Sequence, residues 1–241
     1  MIVTVDGPAG AGKSTVAEQV AQRLNLPYLN SGLIYRAVTV LVLDHEAGNF
    51  ADRGAVLRTI RELNLRFVED GVTGTRRVFA GETDVTDRLK APDVTPEVYR
   101  IANDVEYRSL LVGLQRRFGK SPGVVAEGRD MGTVIFPEAD VKFFLDASAE
   151  ERARRTHADL SRSGYEKTFE SVLTETVERD NRDRSRKDAP LRVPDDGVVV
   201  QTDDLTVDEV VEQLMKYVQA KVVDSDEANS DDRRHAQRNS C

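Results

Sequence analysis

Apolar residues along the chain occur as short continuous runs and as helically spaced repeats, which together predict strands followed by helices. Residues 2–5 form a β-branched apolar run directly before a glycine-rich turn, and residues 16–24 then show helical spacing. Two further apolar runs, at residues 123–126 and 141–145, suit strands of a buried parallel sheet. We therefore predict an α/β fold with a parallel sheet flanked by helices.

The pattern changes between residues 62 and 90, where short strand-like runs alternate with turn sequences. The runs are residues 65–68, 76–79 and 83–85, and the turns are Asp70-Gly71, Thr73-Gly74 and Ala80-Gly81-Glu82. Hairpins fit this spacing better than crossover units. The sequence thus predicts a small antiparallel β insertion, after which helical spacing returns from residue 96 to 118.

The last third of the chain contains two polar, arginine-rich helical segments, a strand and an amphipathic helix. These elements are predicted at residues 149–160, 169–186, 198–201 and 207–222. Beyond residue 224 almost every side chain is polar or charged, which predicts a disordered tail at 224–241. We expect one compact domain at 1–223.

Charge and cysteine content exclude several classes of protein. The net charge of -8 argues against general affinity for nucleic acid or anionic membranes. The single cysteine, Cys241, excludes an intrachain disulfide and a cysteine metal cluster. No apolar run approaches the length of a membrane span. We expect a cytoplasmic protein, a monomer, with no nucleic acid or membrane partner.

The turn after the first predicted strand carries a phosphate-binding motif. It reads Gly7, Pro8, Ala9, Gly10, Ala11, Gly12, Lys13, Ser14. Glycines allow backbone N–H groups to turn onto phosphate oxygens, Lys13 reaches the β- and γ-phosphates, and the Ser14 hydroxyl ligates Mg²⁺. The alternative, a glycine-rich turn that only caps a helix, leaves the ordered Gly-Lys-Ser ending to coincidence. The motif predicts binding of MgATP.

Arginines are concentrated in the second half of this acidic chain. They are Arg129, Arg152, Arg154, Arg155, Arg179, Arg182, Arg184 and Arg186. Guanidinium groups bind phosphate oxygens bidentately, so the cluster suits a small kinase whose acceptor is itself a phosphate. Such an acceptor needs no general base. Two alternatives stay open: residues 179–186 as a solvated ion-paired helix face, and residues 152–155 as either a lid over ATP or a surface helix.

The motifs together resemble the cytidylate kinase family, nucleoside-monophosphate kinases related to adenylate kinase, over residues 1–222. The strings that carry the resemblance are DGPAGAGKST at 6–15, SGLIYR at 31–36, GRDMGTVIFP at 128–137, FLDAS at 144–148 and ERDNRDR at 178–184. Three positions depart from the family pattern: Asn30 in place of Asp, Lys90 in place of Arg, and Tyr99 in place of a base-contacting serine.

The resemblance implies a role for each matched residue. It implies that Ser31, Arg36, Arg129 and Arg186 hold the acceptor phosphate, that Tyr35, Arg179 and Asp183 contact the sugar, and that Arg108 and Asp130 read the base. It also implies that Thr15 and Arg155 join the phosphate loop in binding ATP, and that Lys13, Arg129 and Arg186 are catalytic. The insertion at 62–90 corresponds to a monophosphate-binding subdomain, and residues 150–166 to a lid.

The expected reaction is phosphorylation of CMP or dCMP by MgATP. An enzyme that prefers UMP, AMP or shikimate is a second reading. A nucleotide-binding protein without turnover is a third.

Overall fold

The computed structural model describes residues 1–45, 50–69, 76–120 and 122–238, with the backbone alone for residues 69, 76 and 223–238. The chain divides into two compact units. Unit 1 contains Met1–Leu29 and the chain from Gly119 onward, and unit 2 is Asn30–Phe118.

Unit 1 is built on a five-stranded parallel sheet with the order β2-β6-β1-β7-β8. The strands are β1 (Ile2–Asp6), β2 (Tyr28–Asn30), β6 (Val124–Gly128), β7 (Val141–Asp146) and β8 (Val198–Gln201). Strand β1 is central, since Val3 pairs with Val125 on one side and with Val141 on the other. This position explains the uninterrupted apolar run at the start of the chain, because both faces of β1 are covered. The predicted parallel α/β sheet is confirmed.

Helices α1 (Lys13–Leu24) and α8 (Val207–Arg238) pack on the sheet of unit 1. Helices α6 (Ala149–Arg162) and α7 (Phe169–Arg184) pack against each other. Val16 and Val20 of α1 and Leu214 of α8 share one buried cluster with the sheet residues Val5 and Phe143. Apolar burial of this kind stabilises the sheet and holds the β1–α1 turn in place.

In the part of unit 2 that the structure describes, four α-helices and a short helical turn, Arg88–Lys90, accompany a small antiparallel sheet. The helices and strands of unit 2 are α2 (Ser31–His45), α3 (Arg53–Arg61), β3 (Leu65–Glu69), β4 (Arg76–Ala80), β5 (Thr83–Asp84), α4 (Val94–Ala102) and α5 (Val105–Phe118). Strands β3 and β4 pair antiparallel, with Phe67 opposite Val78. The predicted antiparallel insertion is thereby confirmed, whereas its turns at 70–71 and 73–74 lie outside the described residues.

Helix α8 runs to Arg238. Neither glycine nor proline occurs between Val207 and Arg238, so no helix-breaking residue interrupts it. The disordered tail expected at 224–241 stays a prediction. Residues 239–241 lie outside the described part of the chain. Among the described helices, none has an apolar stretch long enough to cross a bilayer.

Candidate active site

The phosphate loop lies between β1 and α1 in unit 1. Gly7, Gly10 and Gly12 have φ values of 144°, 80° and 82°, a region that side chains rarely adopt. A Cβ on Gly7 would lie 2.0 Å from the carbonyl oxygen of Leu145, so this position also excludes any side chain by contact. Because α1 begins at Lys13, its first amides face the loop and form an anion-binding terminus.

Lys13 is buried within this loop. Its Nζ donates a 2.6 Å hydrogen bond to the carbonyl oxygen of Pro8. Burial lowers the pKa of Lys13 to about 7, and the charge of Arg129 acts in the same direction. The nearby Glu127 carboxylate opposes both effects. A bound phosphate would therefore favour the charged form of Lys13.

Ser14 and Glu127 form an oxygen cluster beside the phosphate loop. The Ser14 hydroxyl donates to Glu127 Oε1 at 2.6 Å, and the Tyr28 hydroxyl donates to the same oxygen at 3.2 Å. Hydroxyl and carboxylate oxygens are the ligands that Mg²⁺ prefers, and Mg²⁺ usually takes only one or two carboxylates besides phosphates and water. These residues therefore fit Mg²⁺. Among the described residues there is no larger cluster of His, Cys, Asp and Glu that would suit a metal.

Glu127 was missed by the sequence analysis. The signal in the sequence was an acidic residue near the carboxyl end of the apolar strand β6. The phosphate loop follows the carboxyl end of the neighbouring parallel strand β1, so the two lie close together.

A basic pocket in unit 1 is organised by one carboxylate. Arg129 Nε donates to Asp183 Oδ2 at 2.8 Å, and Arg186 donates to Asp183 Oδ1 at 2.6 Å. Burial acts to raise the pKa of Asp183, but the charges of Arg129 and Arg186 outweigh it and hold that pKa below its usual value. Arg179 adds its charge to the same pocket. The structure thus brings together the four predicted residues Arg129, Arg179, Asp183 and Arg186, and they are not a solvated ion-paired face.

Asp6 and Asp130 are buried beside the phosphate loop. Burial raises the pKa of Asp6 to about 7, although its hydrogen bonds to two backbone amides oppose this shift. The Asp130 backbone carbonyl accepts hydrogen bonds from the amides of Val134 and Ile135, which closes a short helical turn at Met131–Ile135.

Arg152 and Arg155 on α6 have different surroundings. The Arg152 guanidinium is buried and bonds both oxygens of Asp180 on α7, and it also donates to the Ala9 carbonyl of the phosphate loop at 3.2 Å. Arg152 is therefore neither a lid residue over ATP nor a surface residue. Arg155 donates to Thr202 Oγ1 at 3.1 Å, and it lies within 4 Å of the position that a Cβ on Gly12 would take. Arg155 lies beside the phosphate loop.

Unit 2 contains four other predicted residues, of which Tyr35 and Arg108 are in direct contact. Ser31, Tyr35 and Arg36 lie on α2, and Arg108 on α5. The buried Arg108 guanidinium donates to the Tyr35 hydroxyl at 3.4 Å and lies 5.9 Å from the centre of its ring. Arg36 donates to the Leu89 carbonyl and to Thr95 Oγ1, both at 2.9 Å.

The three positions that depart from the family pattern have separate surroundings in unit 2. Asn30 Oδ1 accepts a hydrogen bond from the amide of Leu33 at 3.2 Å, which caps the first turn of α2 as an aspartate would. Tyr99 is exposed on α4, and Lys90 is exposed at the end of the insertion, in the short helical turn Arg88–Lys90. The structure therefore gives a reason for accepting Asn30 and none for Lys90 or Tyr99.

Comparison with known proteins identifies the family. The sequence model for cytidylate kinase matches residues 3–220. The chain is 42% identical over 221 residues to a cytidylate kinase of Carboxydothermus hydrogenoformans, covering 92% of this chain and 98% of that one. It is 41% identical to a cytidylate kinase of Vibrio cholerae, covering 92% and 97%.

It is also 44% identical to a bifunctional pantoate ligase/cytidylate kinase of Nostoc, covering 92% of this chain and 42% of that protein. Among solved structures, the chain is similar to a shikimate kinase of Bacteroides thetaiotaomicron, at 12% identity with a TM-score of 0.46, covering 91% of this chain and 98% of that one. The phosphate loop, the basic pocket and the match over residues 3–220 agree, and the chain belongs to the cytidylate kinase family.

Proposed function

We propose that this chain transfers the γ-phosphoryl group of ATP to CMP or dCMP, giving ADP and CDP or dCDP. The observation that supports this most directly lies in unit 1. Lys13 of the phosphate loop is close enough to Arg129 and Arg179 for their charges to lower its pKa. A loop for one triphosphate and a basic pocket for a second anion are therefore neighbours, as transfer between two phosphates requires. The names of the relatives point to the same reaction.

The donor half of the proposal uses the phosphate loop. The backbone N–H groups of residues 7 and 9–15 bind the triphosphate oxygens, while Pro8 has no N–H to donate. Lys13 neutralises charge on the transferring group, and Arg155 binds ATP from α6. Ser14 and Glu127 would hold Mg²⁺, which neutralises charge between the β- and γ-phosphates when bound.

The acceptor half uses the basic pocket. Arg129 and Arg186 bind the acceptor phosphate, and Asp183 orients their guanidinium groups by accepting a hydrogen bond from each. Arg179 and Asp183 contact the sugar. The attacking oxygen is already an anion at neutral pH, so no side chain has to remove a proton. Catalysis then consists of positioning and charge neutralisation.

Residues of unit 2 complete the assignment. Ser31 and Arg36 contribute to phosphate binding and Tyr35 to sugar binding, while the insertion at 62–90 belongs to the monophosphate-binding part. Arg108 reads ring acceptors of cytosine, and Asp130 of unit 1 accepts from its amino group. Uracil presents a carbonyl at that place, so a buried Asp130 would face an acceptor, which disfavours UMP.

The segment at 150–166 acts as a lid in this proposal. Arg152 fixes the first turns of α6 to α7 through Asp180, so closure is confined to the residues that follow it. Closure would exclude water and limit hydrolysis of ATP. The proposed enzyme works in the cytoplasm, in keeping with a chain whose one cysteine cannot form an internal disulfide.

An acceptor panel tests the proposed function. ADP formation is measured with MgATP and, in turn, CMP, dCMP, UMP, AMP and shikimate. We expect CMP and dCMP to give the highest kcat/KM, UMP to be at least about 10-fold poorer because of the unpaired acceptor, and EDTA to abolish turnover. A folded protein that prefers another acceptor, or that binds ATP without transferring phosphate to any of the five, contradicts the proposal.

A pair of arginine variants tests the basic pocket. Arg129→Ala removes a guanidinium that faces the acceptor phosphate, so we expect the KM of CMP to rise about 100-fold with little change in ATP affinity. Arg192→Ala is the matched control, because Arg192 is 57% exposed, lies outside the proposed lid and pairs with the exposed Asp195. Normal kinetics for CMP in Arg129→Ala would refute the assignment of Arg129.

A further inference from the structure

Asp6 is a buried carboxylate whose two oxygens are both used. It ends β1 directly before Gly7, and it has no exposed surface. Its Oδ1 accepts from the Met131 amide at 2.8 Å, and its Oδ2 accepts from the Gly132 amide at 2.7 Å. Burying a carboxylate is costly unless hydrogen bonds compensate for the lost water, and an apolar side chain would fill the same space at lower cost. The position of this carboxylate therefore calls for an explanation.

The two amides that Asp6 holds begin the helical turn Met131–Ile135. The first amides of such a turn have no partner inside it, so an acceptor from outside fixes where the turn begins. Only Arg129 and Asp130 separate this turn from the end of β6. By accepting from the amides of Met131 and Gly132, Asp6 fixes the backbone that immediately follows Arg129 and Asp130. In the proposed function, Arg129 binds the acceptor phosphate and Asp130 binds the base.

The approach of the turn to β1 is close. A Cβ on Gly132 would lie 2.8 Å from Thr4 Oγ1, so glycine at this position allows its amide to reach the strand. The Arg129 side chain is meanwhile held by Asp183 at 2.8 Å. Arg129 is thus fixed twice, once through its backbone by Asp6 and once through its guanidinium by Asp183.

We propose that Asp6 is a positioning residue that ties the Arg129–Asp130 segment to the phosphate loop, so that donor and acceptor phosphates are held in line. Asp6 itself touches neither substrate. This inference rests on the proposed function. The inference adds that a residue of the first strand, Asp6, contributes to acceptor binding.

The alternative is that Asp6 only stabilises the fold. The two roles differ in a measurable way, because a stabilising contact changes the melting temperature and leaves the kinetics of the folded enzyme unchanged. A positioning residue changes the KM of the acceptor, or kcat, with a smaller effect on ATP affinity.

The test uses Asp6→Asn in the full-length chain. Asparagine keeps the shape but presents an NH₂ group to one of the two amides, so one hydrogen bond is lost. We expect the KM of CMP to rise about 10-fold, with ATP affinity within threefold of wild type. Asp140→Asn is the matched control, since Asp140 is exposed and accepts from the Ile2 amide at 2.6 Å at the other end of the same strand. The control should keep wild-type kinetics.

A second variant covers the case in which Asp6→Asn does not fold. Gly132→Ala crowds Thr4 and displaces the turn while leaving the carboxylate intact, and it should raise the KM of CMP in the same selective way. Unchanged kinetics for CMP in a folded variant, or an equal loss of ATP affinity, overturns the inference. If the wild-type chain phosphorylates CMP, the proposed function holds and only the inference about Asp6 is overturned. If the wild-type chain is inactive on every acceptor, the proposed function and the inference are both overturned.

Discussion

Asp183 illustrates how one side chain sets the geometry of a basic pocket, because each of its oxygens accepts a hydrogen bond from a different arginine. The side chains of Arg129 and Arg186 are only 18% and 15% exposed, so water screens their positive charges poorly. Without such a carboxylate between them, the two guanidinium groups would repel each other. The same ion pairs also contribute to folding stability, and they do so in a way that depends on pH.

Asp183→Asn should lower the free energy of unfolding by about 2 kcal/mol at pH 7. The pKa of Asp183 lies below its ordinary value of 3.8, so the ionised form stabilises the fold above about pH 4, and this contribution is lost as the pH falls further. The difference between wild type and variant in urea unfolding should therefore shrink as the pH falls below about 4. Asp159→Asn, an exposed control, should show no difference at any pH. A gap that is constant with pH would contradict this explanation.

Lys13→Ala should lower kcat by about 100-fold or more, because it removes the cation that the proposed function places beside the transferring phosphoryl group. The melting temperature should change little, since the side chain makes one hydrogen bond, to Pro8, within its own loop. Coupled measurement of ADP formation checks the first expectation and thermal unfolding the second. Lys167→Ala, which removes an exposed lysine paired with Glu175, should leave kcat unchanged.

Helices α6 and α7 are joined by a buried ion pair between Arg152 and Asp180. A buried pair adds little net stability compared with apolar residues, but breaking it leaves one charge without a partner. The pair therefore holds the two helices and the phosphate loop together, through the additional bond from Arg152 to Ala9.

Arg152→Met should cost about 3 kcal/mol of unfolding free energy, because Asp180 is then buried alone. The double variant with Asp180→Leu should recover at least half of this loss. Urea unfolding of the two single variants and the double variant measures the coupling. A loss below about 1 kcal/mol in Arg152→Met would show that the pair is not important for stability.

Elements with a local signal were predictable from the sequence, and long-range pairings were not. The phosphate loop was predicted because its glycines, Lys13 and Ser14 are contiguous and stand between a strand and a helix. The helix expected at 96–118 proved to be two, since Asp104 accepts from the amides of Glu106 and Tyr107 and so begins α5 anew. Asn103-Asp104 was a signal for a new helix start in the sequence. The signal was overlooked because the helical spacing of apolar residues continues on both sides of it.

The pairings of the site could not be predicted in the same way. Arg129 and Asp183 lie 54 residues apart, and no periodicity joins them. The family resemblance supplied their roles, whereas only coordinates show that one carboxylate serves two arginines. Glu127 was missed for the same reason, because its partner Ser14 lies 113 residues away.

At the scale of the whole molecule, the buried side chains described for α8 lie in the first half of the helix. They belong to Val210, Val211, Leu214, Met215 and Val218, and the family match ends at residue 220. Truncation after Val222 should therefore leave the melting temperature within about 2 °C of the full chain and kcat/KM for CMP unchanged. Truncation after Glu212 is the matched comparison, since it removes Leu214 and Val218 and should unfold the protein. A loss of activity after the shorter truncation would assign a role to residues 223–241.

The central place of β1 has a consequence for how the protein is made. Its partners β6 and β7 are synthesised only after roughly 120 and 135 further residues, which at about 5–20 residues per second means delays of about 6–27 seconds. During that interval an apolar, β-branched segment has no sheet to join and is prone to self-association. The yield of active protein should therefore depend on chaperones that shield this segment during translation.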